Sequence, residues 1–178
     1  EGQDAVTTTV KRFRRHMLVL RPNILVIYDE LEADTPYEWR FKLHSLDEIT
    51  KLSDEQVHAF NTHSDVNVHF WGSDKLKIDV TDEYMFPAVD VRGKEVDGEL
   101  PLFPNSWHLT TAPVNKHNKF RYLTVMQILP REGGLTVISP IRLEADKFQV
   151  DDYIITCQLN TDQPALFKVE KQDASFAL

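Results

Sequence analysis

The sequence predicts an all-β domain, an antiparallel two-sheet β-sandwich. Three observations carry this. Apolar and polar residues alternate with period two in segment after segment, the pattern of strands with one buried face. The runs are rich in β-branched and aromatic residues, and the breaks between them hold Pro, Asn, Asp and Gly. The connections are short, which favours antiparallel neighbours.

The stretch Thr9 to Ser45 organises the chain. Its first run ends in Leu18, Val19 and Leu20, and Arg21-Pro22-Asn23 turns it. Ile24 to Leu31 is the second run, Glu32 to Pro36 reads as another turn, and Tyr37 to Ser45 is the third run. Alternation sets Arg12, Arg14 and His16 on one face of the first strand, with Phe13, Arg15 and Met17 on the other. It sets Arg40, Lys42 and His44 against Trp39, Phe41 and Leu43 on the third. If the first and third strands are neighbours, Arg14, Arg40, Lys42 and His44 crowd one area as a basic patch, a candidate substrate-binding surface. A turn centred on Pro22 places Asp29 opposite Arg15 or His16, and Arg15–Asp29 is the expected structural ion pair.

Residues 46–56 break the strand rhythm, and Ser53 with Gln56 fits a helix capping box. A hairpin of Gln56–Asn61 with Val66–Gly72 fits better. Its expected register sets Val57 opposite Phe70 and His58 opposite His69. His58 and His69 are then the candidates for a metal site, with His63 in the loop. A full ligand set is not evident, so no metal and no other cofactor is expected.

Lys75–Val80 is a strand. Residues 81–104 lose all periodicity, with Pro87, Gly93, Gly98, Pro101 and Pro104 among acidic residues from Asp82 to Glu99. So long an irregular loop covers the sandwich, meets a neighbouring domain or moves. Strands are expected again at Ser106–Val114, Lys119–Leu129, Leu135–Leu143, Phe148–Asn160 and Ala165–Lys171, with a turn at Gly133-Gly134.

With 178 residues, the chain suits one domain spanning 1–178, and a hydrophobic content of 42% supports a packed core. The net charge of −8 and the lack of a long basic block argue against nucleic acid. Any acidic glycan would need a local basic patch. No apolar run approaches the roughly 18 residues of a membrane span. The single cysteine, Cys157, sits in an apolar strand pattern and reads as a buried, inert thiol. The chain does not begin with Met and shows no signal peptide, and is expected to be a fragment or processed product.

Several motifs together resemble the β-sandwich part of heparinase II/III-like polysaccharide lyases. They are Arg14-Arg15 leading into MLVL, Arg21-Pro22, ILVIYD ending at Asp29, and Leu43-His44. Trp107-His108-Leu109, Phe120, Leu123-Thr124 and Leu129-Pro130 follow in the same order. The likeness covers about residues 10–140 and implies a supersandwich-like fold in a secreted or periplasmic enzyme. That enzyme would cleave uronic-acid-containing polysaccharide, such as glycosaminoglycan, by β-elimination. The resemblance places the catalytic groups upstream, so no catalytic residue is expected here. Among general motifs there is no G-x-S-x-G, no H-E-x-x-H and no phosphate-binding glycine loop. The partners implied are the upstream domains of the parent enzyme and an acidic polysaccharide. The competing expectations are a stand-alone carbohydrate-binding sandwich stacking sugars on Trp39, Trp71 or Trp107, and a purely structural domain.

Overall fold

The structure, a computed structural model, describes residues 9–86, 89, 99, 102–103, 105–132 and 135–172. Among these the chain is all-β. It forms strands β1 (Val10–Leu20), β2 (Ile24–Tyr37), β3 (Phe41–Ser45), β4 (Ile49–Lys51), β5 (Gln56–Phe60), β6 (Ser64–Gly72) and β7 (Leu76–Thr81). They continue as β8 (Trp107–Pro113), β9 (His117–Pro130), β10 (Ile141–Arg142), β11 (Lys147–Val150), β12 (Tyr153–Cys157) and β13 (Phe167–Lys171). Every ladder between named strands is antiparallel.

A central sheet of order β1-β2-β9-β6-β5-β4 carries a three-stranded sheet, β3-β8-β7, on one face. Their core holds Ile27, Phe41, Val68, Phe70, Leu109 and Phe120. This is the expected sandwich. A further four-stranded sheet, β10-β11-β12-β13, covers the other face, with Val26, Tyr28, Trp71, Phe148 and Ile155 between. Burial on both faces explains the unbroken apolar run Ile24–Tyr28 that opens β2 and the continuous burial of residues 120–127 in β9. Burial is uneven at the edge. Phe13, Met17 and Val19 alternate along one face of β1 and stand exposed, so the three-stranded sheet does not cover that strand.

Four readings need correction. Glu32–Pro36 is not a hairpin turn. β2 runs on through it, with a register shift between Glu32 and Tyr37, and residues 38–40 carry the chain into the other sheet. β1 and β3 therefore lie in different sheets. Residues 148–160 are not one strand but the hairpin β11–β12. Val150 pairs with Tyr153 across a two-residue turn at Asp151, whose φ of 54° an Asp tolerates. Only Ile141–Arg142 of the expected strand at 135–143 is a strand. The β5–β6 register also differs: Val57 pairs with Val68, His58 with Asn67 and Gln56 with His69. Asn61 tightens that turn, its Oδ1 accepting from the amides of His63 (2.7 Å) and Ser64 (2.8 Å). The shift keeps each side chain on its expected face and changes only its partner.

At 52–55 there is no helix. Ser53 Oγ accepts from the Glu55 amide at 3.1 Å, inside the turn joining β4 to β5. The Gly133-Gly134 turn and most of the 81–104 loop lie outside the described residues. Cys157 is fully buried, and burial pushes its thiol up to about 12, so it is an inert core side chain.

His69 carries a testable consequence. It stacks on Trp71 with ring centroids 5.8 Å apart, and burial holds its imidazole below the ordinary value. The unfolded chain then binds the proton more readily than the fold does. Stability should fall as pH drops through the unfolded histidine value of about 6.5 towards the depressed folded one. Urea titrations between pH 7 and pH 5 check this: His69→Gln should lose less stability across that window than the parent, and an equal loss would contradict it.

Candidate functional site

The outer face of the three-stranded sheet is built by strict alternation. Phe41, Leu109 and Ile78 turn inward to the core, while Lys42, His44, Lys77 and Asp79 turn out. Register then sets rows across the sheet. Lys42 is beside Thr110 and Thr110 beside Asp79; His44 is beside His108 and His108 beside Thr81. Arg40, just ahead of β3, lines a shallow cleft of about 510 Å³ with Glu38, Lys77, Asp79 and Thr110. A second groove of about 590 Å³ adjoins it towards β1, where Phe13 and Tyr37 face Lys42 and Lys116.

The electrostatics of this face centre on Glu38. Arg40 Nη2 lies 3.1 Å from one of its oxygens and Lys77 Nζ 3.5 Å from the other. The Arg40 hydrogen bond holds the Glu38 carboxyl below the usual carboxylate range. Lys42 and Lys116 have no ion-pair partner among the described residues, so their charge is free to meet an anion. His44 and His108 lie 6.0 Å apart, centroid to centroid, and Tyr84 packs at 4.8 Å on His108. The Tyr84 hydroxyl is bonded to Ser106 Oγ at 2.7 Å. Neither histidine has a carboxylate within hydrogen-bond distance among the described residues.

The candidate surface is thus divided. Arg40, Lys42 and His44 share this face, but Arg14 does not. Arg14 lies on the central sheet, on the side towards the four-stranded sheet. There Glu30 is a buried hub with Arg12 (3.7 Å), Arg14 (3.7 Å) and His16 (3.1 Å) around it. The two arginines are matched within their own sheet, by glutamates of β2. Arg15 stands directly opposite Asp29. Its Nε and Nη2 donate to the two carboxylate oxygens, each at 2.7 Å, and its guanidinium lies over the Phe41 ring.

His58 and His69 are not cross-strand partners, and His58 instead lies 3.5 Å from Asp65. No group of three or more His, Cys, Asp or Glu among the described residues is arranged to hold a metal. Trp39 and Trp71 are buried, Trp39 donating its indole N–H to the His117 carbonyl at 2.9 Å, and Trp107 packs against the core. The aromatic rings open to solvent around this face are Phe13, Tyr37 and Tyr84, none of them among the stacking candidates named from the sequence. The sequence reads Tyr37 as the start of the third run, whereas it ends β2, and its neighbourhood with Lys116 depends on β9. Compared with known proteins, the chain matches no protein-family model and no curated protein sequence.

Proposed function

We propose that this chain is the C-terminal sandwich portion of a heparinase II/III-like polysaccharide lyase, supporting an acidic polysaccharide rather than cleaving it. The observation that carries the reading is the gathering of Arg40, Lys42, His44 and Lys77 on one open sheet face of an acidic protein, beside the unpaired Lys116 and two exposed rings. Lysine and arginine meet uronate or sulfate groups, and a ring edge or face meets the apolar side of a sugar. The resemblance in sequence supplies the enzyme class and an extracellular or periplasmic setting. The exposed Met17 and Val19, outside the groove of Phe13 and Tyr37, offer a seat for the parent enzyme's preceding domains, since β1 is the strand they would be joined to. A stand-alone carbohydrate-binding module would need a strong platform, and two of its three Trp candidates are in the core.

Two assays test the reading together. The chain should release no unsaturated uronate, read by absorbance, from heparin, heparan sulfate, chondroitin or alginate. It should bind heparin weakly and only at low salt, because exposed charge pairs contribute about 0–1 kcal/mol each and are screened. Arg40→Ala with Lys42→Ala should abolish that binding. Turnover lost on His44→Ala would place chemistry in this chain and overturn the reading; tight heparin binding would favour the stand-alone module.

A further inference from the structure

The two outer layers are attached to the central sheet in different ways. The chain passes between the central sheet and β3-β8-β7 at residues 38–40, 46–48, 73–75 and 114–116. That layer is threaded through the central one and cannot leave it alone. The four-stranded sheet is one contiguous stretch, β10 to β13, whose neighbours in space are neighbours in sequence, and the chain enters it once, from β9.

Its backbone is self-sufficient. Among the described residues, the ladders and turn bonds of residues 141–172 all close within that stretch. Its ion pairs do the same: Lys147 is matched by Glu144 and Lys168 by Glu170. The polar ties to the rest run from side chains to backbone. Arg121 donates to the carbonyls of Gln158 (3.1 Å), Asn160 (2.6 Å) and Gln163 (2.9 Å), and the Tyr28 hydroxyl to that of Gln158 (2.8 Å). These fasten the loop between β12 and β13. Gln127 holds the entering connection, donating to the Thr136 carbonyl and accepting from the Ile138 amide, each at 2.8 Å.

What docks the strands themselves is apolar contact. Phe148 packs on Trp71 with ring centroids 4.8 Å apart, and Phe167 stacks on Tyr28 at 5.4 Å. Ile155 and Cys157 are fully buried in the same interface. The core on the other side of the central sheet shares none of these residues, so losing one interface leaves the other intact.

We propose that the four-stranded sheet is a reversible cover, which undocks as one unit while the two-sheet core stays folded. Contiguous units that close their own backbone bonds are the segments that open sub-globally, at less cost than full unfolding. Opening here breaks no ladder. It uncovers Val26, Tyr28, Trp71, Leu123 and Val125 on the central sheet, the side away from the glycan-facing strands. It also frees the thiol of Cys157. While the cover is closed, burial pushes that thiol up to about 12, so the reactive thiolate is scarce. As the chain's one cysteine, it reports on this layer alone.

The test is labelling of Cys157 in the intact chain with a chromogenic aryl disulfide, followed across low urea concentrations and compared with global unfolding. Labelling should run through an opening more populated than the unfolded state. Its urea slope should lie well below the global one, because less surface is exposed. Two matched substitutions then separate the layers. Ile49→Val sits in the core under the three-stranded sheet, and Ile155→Val in the docking interface. Ile49→Val should raise the unfolding equilibrium constant roughly fivefold and leave the labelling rate unchanged, whereas Ile155→Val should raise the labelling rate roughly fivefold. Labelling that carries the full global slope, or that rises with Ile49→Val in step with unfolding, overturns the proposal. Labelling with no urea dependence overturns it too, since that is local fluctuation around the thiol.

Discussion

Arg15→Ala is expected to destabilise the fold by about 3–5 kcal/mol, the cost of breaking a buried ion pair from the side that leaves a charge unpaired. The asymmetry of burial decides this. The Asp29 side chain is 2% exposed and that of Arg15 37% exposed. Without the guanidinium, Asp29 keeps its charge in a dry site with no counter-ion. The reverse change, Asp29→Asn, leaves an arginine that can turn to water, and should cost about 1–2 kcal/mol. Arg15→Lys should fall between, because an ammonium cannot make the two parallel bonds. Urea midpoints at unchanged slope measure all of this. A loss for Arg15→Ala no larger than for Asp29→Asn would refute the argument.

Arg121→Met should cost about 2–4 kcal/mol and unfasten the loop at residues 158–163. The methionine fills the space but leaves three carbonyls without their charged donor, each hydrogen bond to a charged group being worth about 1.5–3 kcal/mol before water replaces part of it. Tyr28 still ties Gln158, so the four-stranded sheet should stay docked through Phe148 and Ile155. Native-state hydrogen exchange distinguishes the two regions. Protection should fall in the loop and persist in β12, whereas uniform loss across the sheet would mean that Arg121 holds the layer rather than the loop.

These residues differ in how visible they were. Arg15–Asp29 was legible because a short turn at Pro22 fixes the count across one hairpin. The faces of β3, β5 and β6 were legible because period two assigns in and out without reference to any partner. What period two does not contain is sheet membership. The same alternation of Arg40, Lys42 and His44 suits a strand beside β1 or one in the opposite sheet. Residues 38–40 decide this through long-range bonds, Trp39 to the His117 carbonyl and the Tyr122 hydroxyl to the Trp39 carbonyl. His58 missed His69 because Asn61 closes a tighter turn than the loop composition suggested. Arg121 gave no signal at all, since its partners are backbone carbonyls roughly forty positions away, which every residue type provides.

The central claim is that the outer face of β3, β8 and β7 meets an acidic glycan. The most direct measurement is residue-by-residue amide and side-chain shift mapping with a heparin-derived tetrasaccharide at low ionic strength. The account predicts salt-sensitive shifts at Arg40, Lys42, His44, Lys77 and Thr110, with Arg12 and Arg14 silent behind their glutamates. Shifts centred on Arg12 and Arg14, or none on the three-stranded sheet, would contradict it.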